Sequence, residues 1–244
     1  MRKISLSWFN FLYVGAFAMG LFYAGAVLAE PVGKVTNLNG PLLDHKPGGI
    51  VLVLAQNSTF EAGDILESEK NTYARIKFID ESEVVLRPGT QFKIDAFSYN
   101  SAKPEEDNSV FSLIKGGLRS VTGLLGKRNK EKFKLTTPVA TIGIRGTNFG
   151  ALFCQNDCGG VPTTSGNTPQ NGLYVDVTQG EIVVSNPAGQ QVYQAGQFGF
   201  VANLNTPPIV IPPTEGVPVT MPLSISKNPP DSSNDDDSVD CVVR

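Results

Sequence analysis

Histidine and tryptophan each occur once in the 244 residues, and cysteine and methionine three times each. One imidazole, His45, is too little for Ser-His-Asp or Cys-His chemistry, which needs a ring of near-neutral pKa beside its nucleophile. His45 stands between Asp44 and Lys46, just before Pro47-Gly48-Gly49, and reads as a satisfied or solvated residue at a loop tip. A structural zinc site takes four Cys or His ligands, so no metal centre is expected. No apolar run after residue 29 is long enough to cross a bilayer, and the rest of the chain is expected to be soluble. The net charge of -3 is too small to imply a nucleic-acid or anionic-surface partner for the whole chain.

Other chemical signatures fail on inspection. Asp80, Glu81 and Glu83 cluster as paired glycosidase carboxylates would, but three acids between two strand patterns read as a solvated turn. Gly126-Lys127 has the end of a phosphate loop, yet Val121 stands where its first glycine belongs and Arg128 where its Ser or Thr belongs. The run Asp235, Asp236 and Asp237 lacks the glycine and distant glutamate of a calcium loop. No catalytic residue and no cofactor are expected, and the chain is expected not to be an enzyme.

What is present begins with an address. Arg2 and Lys3 precede an apolar run that closes on Val27-Leu28-Ala29, the layout of a secretory signal peptide cleaved between Ala29 and Glu30. An uncleaved anchor is the alternative, and Glu30 in place of cysteine argues against a lipidated amino terminus. Export implies a periplasmic or secreted protein and an oxidising compartment, where Cys154 and Cys158 are expected to form a disulfide across a tight turn. Cys241 is left over, with an intermolecular bridge open to it.

From residue 30 to about 205, short β-branched and aromatic runs are separated by Gly, Pro, Asn and Asp, with almost no helical periodicity. This predicts an all-β domain of many short strands, sandwich- or solenoid-like. Residues 73–79 and 92–96 alternate apolar with polar and are expected to be neighbouring strands. Residues 154–171 read as a surface insertion closed by the disulfide. Residues 206–244, rich in proline and then in aspartate, are expected to be a disordered tail.

Two stretches stand out. Residues 115–134 carry seven cations against Glu131, so Lys127, Arg128, Lys130, Lys132 and Lys134 form a candidate anion-binding patch, with a solvated loop as the plainer reading. The second runs Thr136-Thr137-Pro138-Val139-Ala140-Thr141-Ile142-Gly143-Ile144-Arg145-Gly146-Thr147-Asn148-Phe149. Pro138 is expected to open an edge strand. Arg145, set among apolar neighbours, is expected to be a buried clamp whose removal costs on the order of 2 kcal/mol or more, with presentation at a surface for recognition as the alternative.

Through Thr137, Pro138, Ala140, Gly143, Arg145, Gly146, Thr147 and Phe149 the chain resembles the FecR family, with agreement in order over roughly residues 32–201. The resemblance implies a β-rich periplasmic interaction domain without known catalysis. Full regulators of that family span the inner membrane and contact a sigma factor from a cytoplasmic segment. Only seven residues precede the apolar run here, so no direct sigma-factor contact is expected. The expected partner is an envelope protein, in a signalling role, and no nucleic acid. The alternative is a structural or adhesive surface protein that binds anionic cell-wall or matrix glycan through the basic patch.

Overall fold

The computed structural model describes residues 30–158 and 160–226. The expected leader up to Ala29, the aspartate run 235–237 and Cys241 lie outside the described residues.

Seventeen strands make up the described chain. In its first half they are β1 (Pro31–Asn39), β2 (Leu42–His45), β3 (Val51–Leu54), β4 (Thr59–Glu61), β5 (Ile65–Ser68), β6 (Tyr73–Phe78), β7 (Glu83–Leu86) and β8 (Gln91–Ser98). The long β9 (Asn108–Val121) follows, and a short helix α1 (Leu124–Arg128) leads into the second half. There lie β10 (Phe133–Thr136), β11 (Thr141–Ile144), β12 (Asn148–Cys154), β13 (Gly172–Gln179), β14 (Glu181–Asn186), β15 (Gly189–Gln194), β16 (Phe198–Val201) and β17 (Ile209–Ile211). The all-β expectation holds.

The pairings form two layers with one strand in common. One sheet runs β4-β1-β6-β7-β9-β12-β13-β16-β17. The other runs β3-β2-β5-β8-β9-β10-β11-β14-β15, with β9 and β10 its one parallel pair. β9 reaches both because it bends. Its first half pairs with β8 and β10, and from Gly116 onward it pairs with β7 and β12. Gly116 takes φ 79°, and a Cβ there would lie 2.7 Å from the Thr90 backbone. The Thr90 hydroxyl holds the bend, accepting from Gly117 N–H at 3.0 Å and donating to Gly117 O at 2.8 Å. Only glycine both adopts that backbone and allows so close an approach.

The period of two along the strands fills the space between the layers. β6 buries Ala74, Ile76 and Phe78, and β8 buries Phe92, Ile94 and Phe97. These two strands were expected to be neighbours, but β6 belongs to one sheet and β8 to the other. Both alternations face the same core from opposite sides, which a strand's own sequence cannot distinguish from adjacency. Phe78 contacts Phe97 and Phe111 across the layers at 4.8 and 5.1 Å between ring centroids. Phe111 continues the aromatic row to Phe92 at 5.2 Å and Phe133 at 5.9 Å, and Phe133 meets Phe149 edge-on at 6.3 Å.

The proline-rich stretch departs from expectation. β17 adds to the edge of the first sheet, and residues 212–226 then cross the outer face of that sheet as a strap ending in a helical turn, α2 (Leu223–Ser226). Prolines bar a stretch from a ladder, but side chains can satisfy its backbone instead. Val219 N–H donates to Asp176 of β13 at 3.1 Å, and Arg119 of β9 donates to Val219 O at 2.9 Å. Arg87, just after β7, donates to Thr220 O at 2.7 Å, and Asn37 of β1 donates to Ser224 O at 3.1 Å. Val217 and Val219 of the strap are themselves fully buried.

Cys154 and Cys158 form the expected disulfide at the end of β12. The insertion beyond it meets the strap where Thr164 N–H donates to Gly216 O at 2.9 Å. Leu152, Cys154, Cys158, Tyr174, Ile211, Val217 and Val219 form a second, smaller apolar cluster on this face. Insertion and strap are thus one cover, laid over apolar residues on the outward side of the sheet.

Candidate interaction surfaces

The residues that set this sequence apart build a corner of the fold. Thr137 closes the β10–β11 turn: its hydroxyl accepts from Ala140 N–H at 3.1 Å and donates to Ala140 O at 2.9 Å. Pro138 lies inside that turn. It does not open an edge strand, because β11 begins at Thr141 and is paired on both sides, with β10 and β14. At Gly146 the chain leaves one sheet for the other, and Gly180 makes the same crossing beside it. A Cβ at Gly180 would stand 2.1 Å from Gly146 O. Thr147 N–H then donates to the Thr122 hydroxyl at 3.0 Å, and Phe149 is fully buried in the core.

Arg145 is a correction. Its side chain is 61% exposed and pairs with Glu181 at 3.0 Å, so it is a surface ion pair and no buried clamp. The alternation that buries Ile142 and Ile144 aims Gly143 and Arg145 outward. Arg119 has the clamp's role. It is 18% exposed, pairs with Asp176, and donates to Asn148 Oδ1 at 2.8 Å and Thr178 Oγ1 at 2.7 Å besides the strap.

The basic stretch also divides. Arg128 grips Asp107 with two nitrogens, at 2.8 and 2.6 Å, donates to the Asn100 and Ser101 carbonyls, and lies 4.6 Å from the Tyr99 ring centroid. Its hydrogen bonds to Asp107 hold that carboxyl below the usual carboxylate range, outweighing the cost of burial. Arg128 therefore drops out of the candidate anion patch, and Lys127, Lys130, Lys132 and Lys134 are left exposed around α1 and the entry to β10.

The remaining titratable groups serve the fold. His45 ends β2 and its Nε2 lies 2.8 Å from Glu67 Oε2. Asp44 and Asp64 are buried around Lys46 Nζ, at 3.1 and 2.7 Å. Burial pushes the Asp44 carboxyl up against the pull of Lys46, with Asp64 adding to the rise. Asp80 is no solvated acid: it is buried and accepts from Ser82 N–H at 3.0 Å and Leu125 N–H at 3.2 Å, tying β7 and α1 together. Among the described residues no group of three or more His, Cys, Asp or Glu is placed to hold a metal ion.

The sheet edges differ in character. β4 and β17 are three residues long, and β15 reads Gly-Gln-Gln-Val-Tyr-Gln. Among the described residues β3 pairs with β2 alone, and it is apolar throughout: Val51 is 50% exposed, Leu52 44% and Val53 74%, with Ile50 just before it 62% exposed. An exposed apolar edge without charge or proline is an open template for another strand.

Residues 64–182 match the family described as FecR protein. No curated protein matches the sequence. Two crystal structures of a candidate anti-sigma factor from Parabacteroides distasonis are 15% identical, with TM-scores of 0.44 and 0.45. The alignments cover 63% of this chain and 60% of that protein, less than two thirds of its length. A cell surface anchoring domain is 20% identical over 27% of this chain and 87% of its own, with a TM-score of 0.26.

Proposed function

We propose, from the match of residues 64–182 to the family described as FecR protein, that this chain is a non-enzymatic interaction module of the bacterial envelope, acting in signalling through contact with another protein. The observation that carries this reading is the family match itself, which spans the whole of the strand that both layers share. The geometry supports it: the motif residues Thr137, Gly146, Thr147 and Phe149 are spent on a turn, a crossing and the core. What such a domain offers a partner is its surface.

Export belongs to the same proposal. The basic, apolar and small-residue order up to Ala29 supports a cleaved leader, and the Cys154–Cys158 disulfide suits an oxidising compartment. The test is covalent crosslinking of the tagged chain in its native envelope, with mass spectrometry of the captured species. One dominant protein other than the chain itself is the expected result. Capture of wall glycan alone, abolished when Lys127, Lys130, Lys132 and Lys134 are neutralised, overturns it in favour of a glycan-binding surface protein.

A further inference from the structure

We infer that β3 is a self-association edge, at which two copies of this chain pair antiparallel about a two-fold axis through Leu52. Lys46 N–H donates to Ile50 O at 2.8 Å, so Ile50, and by alternation Leu52 and Leu54, spend their backbone groups on β2. The N–H and C=O groups of Val51 and Val53 then point away from the sheet. A two-fold through Leu52 sets Val51 opposite the other copy's Val53, and each such pair exchanges both hydrogen bonds. Leu52 meets its own equivalent in the close, non-hydrogen-bonded position.

The side chains fit that register. Ile50-Val51-Leu52-Val53-Leu54 is aliphatic at every position and nearly palindromic about Leu52, so each residue meets an aliphatic partner. Residues 47–60 hold no charge, and Lys46 is occupied by Asp44 and Asp64, so no like charges face each other across the axis. Leu52 lies opposite Asp44, on the face that Asp44 and Leu66 bury, and is still 44% exposed. A second Leu52 would cover the uncovered end of the core. A five-residue edge is smaller than the ~1,200–2,000 Å² of a standard stable interface, so the pairing is reversible and is best trapped covalently. It stands independently of the partner sought above.

The test is disulfide trapping of the full chain in its envelope, in a Cys241→Ser background with Cys154–Cys158 left intact. Non-hydrogen-bonded antiparallel residues lie ~4.5 Å apart at Cα, within disulfide reach. Leu52→Cys is expected to give a reducible dimer, and Val192→Cys on the opposite edge none. Val51→Cys and Val53→Cys chains are expected to cross-link when co-expressed and far less when either is expressed alone. Absence of the Leu52→Cys dimer together with absence of the co-expressed pair overturns the inference. So does equal trapping at Val192→Cys, or a dimer that persists in a Val53→Lys background.

Discussion

Arg119 and Arg145 show how little an arginine's sequence neighbours say about its energetic role. Removing one partner of a largely desolvated pair strands the other's charge, whereas an exposed pair is screened and loses side-chain entropy on forming. Arg119→Ala is expected to cost on the order of 3 kcal/mol, and Arg145→Ala under about 1 kcal/mol, both measured by urea unfolding. Equal losses would restore Arg145 as a clamp. The outward aim of Arg145 was legible, since Ile142 and Ile144 fix the inward parity of β11. The role of Arg119 was not, because its acceptors at Asn148, Asp176, Thr178 and Val219 are remote in sequence and meet only in the fold. Two buried aspartates extend the residue-scale case to pH. The Asp107 pKa is lowered in the fold, so its contribution is present above the unfolded value of about 3.9 and lost as pH falls through the lowered one. The Asp44 pKa is raised, so its contribution is fully present below the unfolded value and lost as pH rises through the raised one. Asp107→Asn is therefore expected to flatten the acid limb of the stability curve below about pH 4, and a limb as steep as wild type's would refute the assignment.

At the scale of elements, the strap and insertion form one cover over the outer face of the β9–β13 region. Gly150 of β12 leaves the space for it: a Cβ there would stand 2.1 Å from Asp176 Oδ1 and 2.5 Å from Val219 Cβ. Gly150→Ala must push the strap outward, at a cost of about 1–3 kcal/mol. Faster proteolysis within residues 212–226, with the core strands still protected from hydrogen exchange, is the expected signature. Unchanged cleavage would mean that the strap does not rest on Gly150. The strands themselves were legible because β7 and β16 coincide with apolar runs bounded by turn residues, and the alternation of β6 and β8 marks half-buried strands. The strap was not, because its order depends on Arg87, Arg119, Asp176 and Asn37, and a proline count carries no information about distant hydrogen-bond donors. The β3 edge was visible as an apolar run, but whether such a run is central or marginal is set by topology.

At the scale of the molecule, β9 makes the two layers one object. Both sheets pair with it, Gly116 turns it from one to the other, and the aromatic row through Phe111 crosses the shared core. Neither layer can lose β9 without opening the other, so the two-layered β domain is expected to unfold in a single transition in which backbone and aromatic probes coincide. Phe111→Ala removes the ring that joins Phe78, Phe92, Phe97 and Phe133, and leaves a cavity that the rigid ladder around β9 cannot collapse into. The expected loss is about 3–5 kcal/mol, with an unchanged denaturant slope, since the same surface is still exposed in one step. Two separated transitions, or a loss confined to aromatic signals while backbone structure persists, would mean that the layers are independently stable and that β9 only tethers them.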